Sequence, residues 1–357
     1  MCRTLLSLPL LLAAGSACAA SVNIGVVAPQ GGNFALLGAQ IAAGAGFEAK
    51  ASKNNVTSVD EPCTDGSGQA VADALINAKV QVAVGFLCSE TLEGALPKLK
   101  DAGIPVITVS VRSRILMEDA LKNGWPLFRL APVDGAEAAK VVETILKNWT
   151  SDPIALIDDG TIHGRELVDA VRSALDERGL KPVFNDTYRP GQDQQIALVR
   201  RLRKAGATHL FVGGDRNDVA IMARDAKSEK IPLAIMSGDS MRAADQSVPL
   251  AIGVQAVTLP DYAGLSPGAA TAQAMRNAGI EPEGYTLPAD AAAFIAGQAV
   301  EAAISDNKPL VSKLLGTTFQ TAIGPVAFGQ NHELTDNPYR LQEWRGNAFA
   351  APAAPTN

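Results

Sequence analysis

Short apolar runs alternate with longer amphipathic stretches along almost the whole chain. The clearest case is 80–110, VQVAVGFLCSETLEGALPKLKDAGIPVITVS. A β-branched run at 80–84 reaches Gly85, an amphipathic segment starts at Ser89, and Gly103-Ile104-Pro105 opens a second apolar run at 106–109. That order is a βαβ unit, whose two strands lie parallel. Ligands of such sheets bind at the carboxyl ends of the strands. Ser89 stands there as a hydroxyl N-cap beside amide groups suited to a carboxylate.

The same rhythm runs through the rest of the sequence. Strands are expected at 22–28 and 56–59, helices at 36–53 and 67–78, and a strand at 128–131 closes a first block. After Pro132 come helix 136–149, strand 154–157, helix 164–178, strand 182–185 and helix 194–205. Strand 209–212, helix 219–228 and strand 233–236 follow, and a strand at 255–259 leads into one long helical stretch at 269–304. Late strands are expected at 325–328 and 340–344, ahead of an Ala/Pro-rich tail at 350–357 expected to stay unpacked. Two consecutive blocks of βα units predict an α/β fold of two doubly wound, Rossmann-like lobes.

Composition changes the picture at three points. Arg3, the apolar stretch 5–14 and Ala17-Cys18-Ala19-Ala20 predict an export signal cut near Ser21. A lipidated Cys18 is the alternative, although Gly15-Ser16-Ala17 lacks the Leu usual in that motif. No later run reaches the roughly 18 apolar residues of a membrane span. A net charge of −6 with scattered Lys and Arg argues against nucleic acid as the main partner. Removing the leader leaves only Cys63 and Cys88, and an even pair in an exported chain is most simply one disulfide, worth about 3 kcal/mol. The rival reading makes Cys88, in a strand-to-helix turn, a nucleophile, with His163, His209 or His332 as its base.

The candidate chemistry lies in the loops just after the apolar runs: Ser89, Ser110 and Arg112, Asp158-Asp159, Asp215 and Asp239. Two facing lobes would offer Ser89, Ser110 and backbone amides to an anion, and Asp215 and Asp239 to a cation, which suits a zwitterion such as an amino acid. Both aspartates read equally as helix N-caps. Arg112 reads as a carboxylate clamp or a solvated charge, and His163 as a ligand contact or a plain loop residue. Asp158-Asp159 brings too few carboxylates for a metal cage, so neither metal nor cofactor is expected. The chain carries no G-x-S-x-G elbow, Walker loop, H-E-x-x-H or dinucleotide fingerprint, which shifts weight from catalyst to binder.

The segments V-G-F-L-C-S, D-E-P-C-T-D and G-I-P-V-I-T carry a family resemblance, supported by I-A-L-I-D-D-G-T-I-H-G, L-F-V-G-G-D, I-M-S-G-D and I-G-P-V-A-F. Over 23–344 the chain resembles the leucine/isoleucine/valine-binding proteins of ABC importers, which have the type I periplasmic binding fold. The resemblance implies that Cys63 pairs with Cys88 and that Ser89 holds a ligand α-carboxylate. It places Ser110 and Arg112 around the carboxylate and ammonium, and Asp239 where an acidic residue receives the ammonium. His163 and Asp215 fall where the family often has tyrosines, and Leu37 where another pocket tyrosine is common. The pocket is therefore expected to be more polar, with Arg112 and Asp215 facing each other or a complementary ligand.

The resemblance also implies a hinge of three segments, near 131–134, 258–262 and 328–336. After a signal at 1–20, residues 21–132 plus 262–328 would form one lobe and 133–261 plus 329–349 the other, followed by the tail at 350–357. The implied function is that of a monomeric, non-enzymatic periplasmic solute-binding protein. It would deliver an amino acid, branched-chain or more polar, to an ABC permease by hinge closure. An exported hydrolase using Cys88 or Ser89 and a ligand-sensing receptor module are the alternatives.

Overall fold

The computed structural model describes residues 21–352. The expected export signal at 1–20, with Cys18, lies outside the described residues, as do 353–357 of the tail. In the first block β1 (Asn23–Ala28), β2 (Asn55–Asp60), β3 (Val82–Gly85), β4 (Val106–Thr108) and β5 (Leu127–Arg129) alternate with four helices. These are α1 (Ala35–Ala51), α2 (Gly68–Asn77), α3 (Ser89–Asp101) and α4 (Arg114–Asn123). The strands pair in parallel in the order β2-β1-β3-β4-β5. Every residue of β3, β4 and β5 is buried, as expected where helices cover both faces of a parallel sheet.

The second block begins with α5 (Ala136–Asn148), then β6 (Ile154–Asp158), α6 (Ile162–Asp176), β7 (Phe184–Thr187) and α7 (Ile196–Lys204). It continues with β8 (His209–Gly213), α8 (Arg216–Ser228), β9 (Ala234–Ser237) and β10 (Gln255–Thr258). Helices α9 (Gly268–Asn277), α10 (Thr286–Asp306) and α11 (Leu310–Gly316) follow, then the hairpin β11 (Phe319–Thr321) and β12 (Gly324–Val326). Strands β13 (Arg340–Trp344) and β14 (Phe349–Ala350) end the described chain. The second sheet runs β14-β13-β10-β9-β8-β6-β7, parallel except for β13 and β14. Its parallel part, β7-β6-β8-β9-β10, repeats the strand order of the first sheet. The fold is two doubly wound lobes.

The structure corrects three local expectations. The helical stretch at 269–304 is two helices, because Gly279 (φ 78°) takes the left-handed turn that ends α9 and Pro282 cannot continue it. Helix α10 is long and apolar enough to cross a membrane by composition, yet its apolar residues are buried against α1 and β3. It is the core helix of the first lobe. The unpacked tail starts later than expected, since Phe349 and Ala350 pair with Trp344 and Glu343.

The chain leaves the first sheet between β5 and α5, returns to it after β10 and leaves again between β12 and β13. The last passage stays on the first sheet's edge beyond residue 328. Arg129 N–H donates to His332 O at 3.0 Å, Arg129 bridges Glu333, and Thr335 N–H donates to Ala327 O at 3.0 Å.

Candidate functional site

Both sheets reverse direction of winding at a switch point, between β1 and β3 in one and between β6 and β8 in the other. Loops at the carboxyl ends of these strands form a crevice by topology alone. Ser89 follows β3, His163 follows β6 and Asp215 follows β8, so all three stand at switch points. Ser110 with Arg112 follows the neighbouring β4, and Asp239 the corresponding β9.

In the first lobe the start of α3 is built differently from the expected hydroxyl cap. Cys88, in extended backbone, is the N-cap, and Ser89 is the first helical residue, half-buried. Cys88 has no side-chain cap because its sulfur is bonded to Cys63, with the two Cα atoms 5.4 Å apart. A carboxylate supplies what the cap does not. Glu61, 1% exposed, accepts from Leu87 N–H at 2.7 Å and Cys88 N–H at 3.0 Å. Burial, opposed by those two amides, pushes the Glu61 carboxyl up to about 7. The first helical hydrogen bond runs from Leu92 N–H to Cys88 O, so the amides of residues 89–91 have no acceptor within the helix. Glu61, Cys63 and Cys88 also cluster tightly enough to hold a metal, but the disulfide removes both thiolates.

Ser110 shares a hydrogen bond of 3.0 Å with the Tyr285 hydroxyl. Arg112 is exposed and reaches toward the second sheet, donating from Nη1 to the Tyr339 hydroxyl at 3.3 Å. Tyr339 itself immediately precedes β13.

In the second lobe the two aspartates part company. Asp215 is the N-cap of α8 and accepts from Asp218 N–H at 2.9 Å. Among the described residues no ion pair joins it to Arg112, which donates to Tyr339. Asp239 accepts from Leu259 N–H through Oδ1 at 2.9 Å, and its own N–H donates to Glu137 Oε1 at 2.8 Å. Glu137 lies in the first turn of α5. Burial, reinforced by the Asp239 charge, holds its carboxyl above the usual range, while the Asp239 amide, His163 and Arg112 pull it back. Burial, with Glu137 and Asp239, likewise pushes Tyr339 up to about 12 against the pull of Arg112. Arg112, Glu137, His163, Asp239 and Tyr339 therefore share one electrostatic neighbourhood. His163 enters it as an exposed residue of the first turn of α6, where Thr161 is the cap. Asp158 and Asp159 spend their oxygens on the backbone and hydroxyl groups of that turn and of Thr187.

A cavity of about 320 Å³ opens beside this cluster, lined from both lobes by Arg112, Leu130, Arg242, Leu259, Tyr262 and Tyr285, among others. Of the residues singled out from sequence, only Arg112 borders it; Ser89, Ser110, His163, Asp215 and Asp239 do not. Glu61, Glu137, Tyr285 and Tyr339 escaped the sequence reading. Glu61 stands inside the D-E-P-C-T-D segment quoted for its cysteine. Glu137 looks like an ordinary acid in a helix first turn, where the dipole favours one.

The sequence profile of the periplasmic binding protein family matches residues 21–348. The chain belongs to that family. A Leu/Ile/Val-binding protein homolog of Brucella melitensis is 25% identical over 344 residues, covering 92% of this chain and 93% of the relative. A solved ABC transporter structure from Rhodospirillum rubrum superposes with a TM-score of 0.79 at 16% identity, covering 93% of this chain and 100% of the other. A solute-binding protein of an ABC transporter from Rhodopseudomonas palustris, in complex with p-hydroxybenzoic acid, gives 0.63 at 15% identity, covering 93% and 96%. As a periplasmic binding protein, the chain is a binder and not an enzyme. Cys88, paired with Cys63, has no thiol to act as a nucleophile.

Proposed function

We propose that this binding protein carries an amino acid, branched-chain or a more polar relative, in the cleft between its lobes. It works in the periplasm as a monomer and hands its ligand to the permease after the lobes close. One observation supports the reading: opposite charges stand at the carboxyl ends of the two sheets. The first lobe offers the unaccepted amides at the start of α3 and the guanidinium of Arg112; the second offers the carboxylate of Asp239. A zwitterion matches that polarity at both ends, and closure would bring both walls onto it. The Brucella melitensis relative, a Leu/Ile/Val-binding protein homolog, points the same way. The Rhodopseudomonas palustris structure, with p-hydroxybenzoic acid, points to the competing ligand class.

Calorimetry on the mature protein separates the classes. Titration with L-leucine, L-isoleucine, L-valine, L-glutamine, p-hydroxybenzoate and benzoate is expected to give saturable heats for at least one amino acid. Saturation by an aromatic acid with no response to any amino acid would overturn the reading.

A further inference from the structure

The second lobe carries one more carboxylate than a single ammonium-binding aspartate requires. Glu137 Oε1 accepts the Asp239 amide at 2.8 Å, which sets the two acids side by side. The residue between the sheet and Asp239 is shaped to allow this. Gly238 has φ −96° and ψ −161°, a conformation open to any residue, so no backbone demand explains the glycine. A Cβ there would lie 2.1 Å from Glu137 Oε1. The missing side chain is the space that Glu137 occupies.

The charged and titratable groups facing this pair come from three other elements. Arg112 reaches over from the β4–α4 loop, His163 from the first turn of α6, and the Tyr339 hydroxyl from the approach to β13. Arg112 already donates to Tyr339, and one Asp239 oxygen is held by Leu259 N–H. Two neighbouring carboxylates repel, and burial raises the cost of charging both. An ammonium group delivered by a ligand would relieve both acids at once. A ligand that brings only a carboxylate adds a third negative charge and relieves neither.

We propose that Glu137 is a specificity-determining residue of the cleft: with Asp239 it makes an ammonium group on the ligand obligatory and turns away des-amino carboxylates. This rests on the amino-acid reading above and sharpens it, because it assigns the rejection of aromatic and aliphatic acids to a named side chain.

The test uses two matched pairs of probes, L-leucine with 4-methylpentanoate and L-glutamine with 4-carbamoylbutanoate, together with p-hydroxybenzoate. Calorimetry is run on the mature protein and on the Glu137→Gln and Gly238→Ala variants, with thermal midpoints to confirm folding. Glutamine keeps an acceptor for the Asp239 amide while removing the charge; alanine at 238 keeps the charge but displaces it. Both variants are expected to lose about tenfold or more in affinity for the amino acid that binds the parent, the value of one charge-assisted contact. Glu137→Gln is also expected to narrow the gap between that amino acid and its des-amino partner. Lowering the pH toward the carboxylate range should weaken amino-acid binding more in the parent than in Glu137→Gln, because only the parent has this carboxylate, held above its usual range, to protonate. A folded Glu137→Gln variant with unchanged amino-acid affinity and pH profile overturns the proposal alone. A parent that binds p-hydroxybenzoate and neither amino acid overturns it together with the amino-acid reading.

Discussion

Two buried carboxylic acids of the first lobe, Glu61 and Asp290, have very different partners. Glu61 spends its oxygens on two backbone amides. Asp290, 3% exposed in α10, keeps a buried Oδ1 without a hydrogen-bond partner, and the charge nearest in effect is that of Glu48 on α1. Burial, then the like charge of Glu48, pushes Asp290 up to about 8. An acid whose folded pKa exceeds its unfolded value favours the fold most while both states are protonated. That advantage disappears as pH climbs from the ordinary carboxylate range through the folded pKa. Each unit is worth about 1.4 kcal/mol, so the span from about pH 4 to 8 is worth on the order of a few kcal/mol. Urea denaturation of Asp290→Asn is therefore expected to show a variant more stable than the parent at pH 8, with the two converging near pH 4. An asparagine variant no more stable at pH 8 would mean that the site ionises without strain.

At the scale of elements, the start of α3 depends on two supports, one covalent and one charged, that converge from the segment after β2. The disulfide closes a loop with a sequence separation of 25, and Glu61 holds the two amides just ahead of the helix. Replacing both Cys63 and Cys88 by Ser is expected to cost about 3 kcal/mol of stability. Because the same loop positions Ser89, binding of the amino acid found by calorimetry should weaken as well; loss of stability with unchanged affinity would separate the disulfide from the site. This unit was largely legible in the sequence, since a β-branched run and a helix start are local signals: a strand expected at 80–84 is β3, and the helix does begin at Ser89. The break inside 269–304 was not, because a run of alanines reads as helix on either side of two glycines and one proline. The acids that complete the site were hidden for a different reason. The Asp239 amide that Glu137 accepts is 102 residues away in sequence, and the amides on Glu61 are 26 and 27 away, so no spacing pattern records them. Asp215 shows the converse, since its local signal, an acid at a helix start, described what it does in the structure.

For the whole molecule the question is where the lobes can bend. The passage between β12 and β13 is fastened to the first lobe for much of its length. Arg129, 1% exposed on β5, pairs with Glu333 and donates to Ser113 O at 3.0 Å. The ring of Phe128 stacks on His332 at 4.3 Å and meets Phe328 edge-on at 5.2 Å. A segment held by two rings and by an ion pair whose arginine is buried is expected to move with its lobe, which would leave bending to the residues between Thr335 and β13 and to the two other passages. Removing one member of a buried pair leaves the other charge uncompensated, at a cost of about 3 kcal/mol or more. Glu333→Ala is expected to lower the free energy of unfolding by that amount, read by urea titration, because Arg129 stays buried. Its ligand affinity should change by less than about tenfold, since an anchor inside one lobe contributes equally to open and closed forms and a group with no preference between two states shifts neither. The opposite pattern, unchanged stability with affinity moved by more than that, would place Glu333 in the hinge itself.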